Sequence, residues 1–119
     1  MKAKLIGVSL LILSLITVGA ARAQAMDVCP HDATVQSLQA CVQHARSQGF
    51  IDNGGIARSL LAKLDATQAA LARGQLPVAI NALEAVVHEL DAQAGKHILA
   101  EHATHLRMHA QMVIQALKP

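Results

Sequence analysis

From Thr34 to the C-terminus, apolar residues recur every three or four positions between short polar or glycine-bearing stretches. They do not alternate with polar residues as a half-buried strand requires, so the pattern predicts an all-α fold. A first helix from about Thr34 to Gln48 buries Val35, Leu38, Val42 and Ala45 and stops at Gly49, with Asp27 or Asp32 as acidic partner for its N-terminus. Phe50 and Ile51 are expected to pack beneath the turn. Asp52-Asn53-Gly54-Gly55 supplies the cap of a second helix, whose stripe Ile56, Leu60, Leu64 and Leu71 has Thr67 as its one polar member and ends at Gly74. Leu76-Pro77 opens a third helix, since proline suits the first helical position; Ala79, Leu83, Val86, Val87 and Leu90 form its buried face, and Gly95 closes it. The last helix, about Leu99 to Leu117, carries Leu99, Ala103, Leu106, Ala110, Val113 and Leu117 at alternating spacings of four and three.

Connections this short make successive helices antiparallel neighbours, and the expected architecture is a small up-and-down bundle of three to four helices. In the three-helix alternative the first helix docks loosely on the other three.

Ahead of this pattern stands a different one. Lys2 and Lys4 precede an apolar run from Leu5 to Val18, followed by Ala21-Arg22-Ala23-Gln24-Ala25. These are the three regions of a secretory signal peptide, with cleavage after Ala23 or, preferably, after Ala25. The run is shorter than the roughly 20 apolar residues of a comfortable membrane span. Cys29 stands too far from it, behind Met26-Asp27-Val28, to be a lipidation site. Residues 1–25 are therefore expected to be removed, leaving 26–119 as one helical domain, periplasmic or secreted, with no stable membrane span.

Cleavage changes the charge argument. The formal charge of +2 loses Lys2, Lys4 and Arg22, so the mature chain carries 2 − 3 = −1 with histidines neutral. One Phe and no Trp or Tyr remain. A near-neutral chain so poor in aromatics lacks the basic patch and stacking rings of a nucleic-acid binder.

Cys29 and Cys41 are the only cysteines, and in an oxidising compartment an even pair reads as a disulfide. The competing reading groups Cys29 and His31 with Cys41 and His44 as a two-Cys, two-His zinc site, which needs the same sulfurs.

Further residues resemble a known family. Ile51-Asp52-Asn53-Gly54-Gly55-Ile56 with Ser59-Leu60 and Lys63-Leu64 begin the likeness. Leu71 with Gly74, Ala79-Ile80-Asn81 with Leu83, Ala92-Gln93-Ala94-Gly95-Lys96 with Ile98, and Ala103 with Leu106 and Ala110 continue it. In order and spacing they resemble the FIMAH-type small helical domain of secreted bacterial proteins, over about residues 50–117. The resemblance implies an accessory or packing module with no catalytic residues to carry over. In the family the module is expected to be attached to a larger protein, and its last helix is expected to be mostly polar or acidic where this one carries histidines.

Those histidines are the candidate chemistry. At 100° per residue, His102, His105, His109 and Met112 fall within an arc of about 80° beside the Leu106 and Val113 stripe. His105 and His109 have the i, i+4 spacing that lets two imidazoles share an ion, and Met108 with Met112 adds thioethers. Such a set suits copper or zinc, with Glu101 as a further ligand or outer partner. The competing expectation is a solvated histidine face that charges on acidification. His88 is expected to pair with Glu84 and Asp91 at the surface.

No Gly-x-Ser-x-Gly elbow, His-Glu-x-x-His motif or phosphate-cradling glycine loop occurs, and an enzyme is not expected. The expected function is an exported noncatalytic helical module that contacts an envelope or secreted protein. The alternative is a periplasmic copper- or zinc-binding protein using His102, His105, His109 and Met112.

Overall fold

Thr34 sets the start of the first helix: its backbone is extended, and its hydroxyl accepts from the Ser37 backbone N–H at 3.1 Å. A threonine cap of this kind satisfies one of the donors a helix leaves open at its beginning. Asp32, expected as the acidic partner, contributes only its backbone: its N–H donates to Ser37 Oγ at 3.1 Å, and no acid lies in the first turn. Asp27 lies outside the described residues, as does the expected signal peptide, because the computed structural model describes residues 29–119. The helices are α1 (Val35–Ser47), α2 (Gly54–Ala72), α3 (Leu76–Gln93) and α4 (Ala100–Leu117).

The second helix begins where Asp52-Asn53-Gly54-Gly55 predicts. Asn53 Oδ1 accepts from the N–H groups of Gly55 and Ile56, at 2.8 and 3.1 Å. Pro77 stands in the first turn of α3, where its missing N–H costs nothing. Leu99 departs from expectation. It is the N-cap of α4 and half-exposed, because the chain reaches it in an extended conformation held by its N–H to the Phe50 carbonyl at 3.0 Å. Ile98, one residue earlier, takes the buried place.

The packing is a ring of four: α1 against α2, α2 against α3, α3 against α4, and α4 back against α1, with the two hairpin pairs α2–α3 and α3–α4 most extensively joined. Val35, Leu38, Val42 and Ala45 from α1 are fully or nearly fully buried together with Leu60, Leu64, Leu83, Val86, Leu90, Ala110 and Val113. The first helix is thus a full member of the bundle. Each large aliphatic side chain removed from water contributes about 1.5–3 kcal/mol before entropy is charged against it. Thr67 is buried in the same core without penalty, since its hydroxyl donates to the Lys63 carbonyl of its own helix at 2.8 Å. At the margins Lys63 pairs with Glu89 at 3.0 Å between α2 and α3. Arg107 reaches Asp91 at 3.3 Å between α4 and α3, and the expected pairing of His88 with Glu84 and Asp91 is not formed among the described residues.

The α1–α2 and α3–α4 connections meet at one end of the bundle. Asp52 N–H donates to the His97 carbonyl at 2.9 Å, and Ile51 and Ile98, both buried, form an isolated antiparallel bridge. Gly49, at φ 83°, makes the tight exit from α1 that this meeting requires. Among the described residues no strand forms, and no helix is long and apolar enough to cross a membrane.

Candidate functional site

Before α1 the segment from Cys29 to Ala33 lies over the α1–α4 seam as a strap. Cys29 is joined to Cys41 in α1, with Cα atoms 4.7 Å apart. The Ser37 hydroxyl donates to the Pro30 carbonyl at 2.7 Å, and His109 from α4 reaches the Asp32 carbonyl at 2.7 Å. A carbonyl only accepts, so Nε2 of His109 carries the proton, and in the neutral ring Nδ1 holds the lone pair. Packing under the strap is what buries His109, which sits beside the Ala110 core position.

Beside the bridge is a pocket of about 200 Å³ lined by both cysteines, His31, His44, Ala45, His102, His105 and Leu106. Its polar side chains are all imidazoles. His31 comes from the strap, His44 from the turn of α1 after Cys41, and His102 and His105 from successive turns of α4. The His102 ring stacks on Phe50 with centroids 3.6 Å apart, and its buried Nδ1 has no hydrogen-bond partner. Buried nitrogens in folded proteins are rarely left so. The His102 and His105 centroids are 6.1 Å apart, and His31 stacks on His109 at 5.9 Å.

The two groupings read from the sequence therefore meet. Cys29, His31, Cys41 and His44 line the same pocket as His102 and His105. His109 lies next to the bridge: Cys29 Sγ, Cys41 Sγ and one His109 ring nitrogen are all within 4.8 Å of one another. Met112 stands apart, 45% exposed, and Met108 is 58% exposed. The four residues share a face of α4, but they are spread over about 15 Å of helix axis, and what covers the row changes along it. Phe50 covers His102 and the strap covers His109, whereas Met112 faces outward. His97, outside the row, pairs with Asp52 at 2.9 Å where the connections meet. His31 and His44 were legible as pocket residues only through the cysteines they follow.

A larger groove of about 440 Å³ runs between the start of α1, the end of α2 and the end of α4, lined by residues including Val35, Leu71, Val113 and Leu117. It offers an apolar floor with Thr34, Gln36 and Gln68 and no charged group.

These features define a small disulfide-bridged helical bundle built as a module, with imidazoles clustered at its bridge. The chain belongs to the FIMAH domain family, whose sequence profile matches residues 35–115, nearly the whole four-helix bundle. The match begins at Val35, so α1 with Cys41 is part of the module and not an addition in front of it. The family is a noncatalytic one whose domains occur in extracellular proteins. Comparison with curated proteins and with solved structures found no match.

Proposed function

We propose that this protein is exported to the periplasm or beyond and acts there as an accessory module that contacts another envelope or secreted protein. The family match over residues 35–115 is the observation that carries this reading. The Cys29–Cys41 bridge supports an oxidising destination, as does the signal-like pattern of residues 1–25. Met108 and Met112, one turn apart on α4 and both exposed, are the large apolar side chains offered on the helix that also bears the imidazoles. Unbranched thioethers adapt to irregular partner surfaces, which suits such a contact.

The test has two parts. Intact mass of the protein recovered from the periplasm or medium is expected to correspond to a chain beginning at Met26 with two hydrogens fewer than the dithiol. A photo-crosslinking residue placed at Met112 in living cells is expected to give one discrete adduct, lost when Met108 is replaced by Glu. No adduct, with a monomer throughout and no protein retained from periplasmic extract, would remove the reading.

A further inference from the structure

We propose that the Cys29–Cys41 bridge masks a thiolate–imidazole metal site. After reduction, Cys29, Cys41 and His109 bind one Zn²⁺ ion, and His31 supplies the fourth ligand. The inference goes beyond the module's accessory role and does not depend on it.

Three observations place the site. The two sulfurs and a ring nitrogen of His109 already lie within 4.8 Å of one another, brought together from the strap, α1 and α4. His109 already makes the outer hydrogen bond that zinc-bound histidines usually make: Nε2–H donates to the Asp32 carbonyl at 2.7 Å, which leaves Nδ1 as the lone-pair nitrogen of the neutral ring. His31 lies outside that group, but it is two residues from Cys29 on the same strap, exposed, and stacked on His109 at 5.9 Å, so a turn of this exposed side chain brings its ring to the ion. The set would be two thiolates and two imidazoles, a common tetrahedral zinc set.

The disulfide and the ion are mutually exclusive. Zinc–sulfur bonds of about 2.3 Å put two thiolates about 3.8 Å apart, so the sulfurs must separate. Cys41 is buried in α1, whereas Cys29 is only partly buried on the strap, and rotation of the Cys29 side chain supplies the separation. The adjoining 200 Å³ pocket provides the space.

The chemistry balances with a dithiol as reductant. One thiolate of the dithiol attacks a bridge sulfur to give a mixed disulfide; its second thiolate then displaces the protein sulfur. The dithiol leaves as a cyclic disulfide, having supplied two electrons, and Cys29 and Cys41 are left as thiols. Zn²⁺ then replaces the two thiol protons, which pass to solvent. The same dithiol state exists in the newly made chain before the bridge forms, so the ion and oxidation compete for one pair of sulfurs.

The test uses the whole mature protein, reduced with a dithiol and freed of it without air, beside the oxidised protein. Both are titrated with Zn²⁺ against a chromophoric chelator, and with Co²⁺ as a spectroscopic substitute. The reduced protein is expected to bind one equivalent of Zn²⁺ at least about a hundredfold more tightly than the oxidised protein. Its Co²⁺ complex should show sulfur-to-metal charge-transfer bands. His109→Gln keeps a donor for the Asp32 carbonyl but removes the imidazole, so it should fold, by circular dichroism, and weaken zinc by about tenfold or more. His31→Ala should weaken it similarly, and His88→Ala should leave it unchanged. Equal affinity in both redox states, a Co²⁺ complex without sulfur bands, or unaltered binding by folded His109→Gln each overturns the proposal, and unaltered binding by His31→Ala overturns its fourth ligand. A reduced protein that has lost its helices and does not regain them on adding Zn²⁺ overturns it as well.

Discussion

His109 Nε2 donates to the Asp32 carbonyl at 2.7 Å across 77 residues of sequence. This one bond fastens the strap to the last helix, at a second point beyond the bridge that fastens it to the first. His109 is 4% exposed, so the bond is shielded from water and its loss leaves a buried imidazole or an orphaned acceptor. Replacing His109 by Leu is expected to cost about 1–3 kcal/mol, since a buried polar partner loses its mate. His109→Gln should cost less. Urea unfolding midpoints for the two variants check the order, and equal losses would show that volume and not the bond is what matters there.

Removing the bridge by Cys29→Ser with Cys41→Ser should destabilise the protein by about 3 kcal/mol on the loop-entropy model, given a sequence separation of 12. Because the core of α1 is buried independently of the strap, the bundle should persist. Hydrogen exchange is the discriminating measurement: protection should fall first from residue 29 to residue 34 and remain in α2, α3 and α4.

At the start of α2, Asn53 Oδ1 satisfies two backbone donors. Asn53→Ala should therefore lower stability by about 1 kcal/mol, and Asn53→Asp should be nearly neutral. Thermal melts of both variants at one pH separate capping from side-chain packing, because only the alanine variant is expected to move.

Thr67 gives an inverted case. Its hydroxyl donates only to the Lys63 carbonyl within α2, whose carbonyl already belongs to the helix, so Thr67→Val removes a donor without orphaning a partner. The variant should be within about 0.5 kcal/mol of the parent or more stable. Leu64→Ala, at a fully buried position three residues earlier, should cost about 2–5 kcal/mol through the cavity it leaves. A large loss for Thr67→Val would mean that the hydroxyl holds something beyond its own helix.

How much of this was legible beforehand differs by residue. Leu38, Leu60, Leu64, Leu83, Leu90 and Val113 announce their burial through helical spacing, and Asn53 and Pro77 announce the helix starts by their own backbone chemistry. Leu99 misleads for a local reason: the periodicity extends through it, but the backbone turns extended there to pair with Phe50, and Ile98 is buried instead. Thr34, read as the approximate first residue of the helix, is its cap, and Asp32, read as an acidic partner, does not serve as one. Thr34 stands three residues before Ser37 and accepts its N–H, whereas Asp32 meets Ser37 Oγ and His109 through its backbone, contacts that helical spacing does not show.

The sequence by itself determined the all-α class, the helix boundaries, most of the apolar stripes and the family resemblance, because each rests on spacing along one chain; the structure decided that α1 is a full member of the bundle and that Cys29 and Cys41 are bridged. Tertiary structure alone decided which histidines meet. His102, His105 and His109 share a helix face, yet one stacks on Phe50, one stands exposed at the pocket and one lies beneath the strap. Helical periodicity specifies an angle about an axis. What lies opposite that angle is set by distant segments, Phe50 for His102 and the strap 77 residues away for His109, and their positions depend on the bridge and the folded ring of helices together.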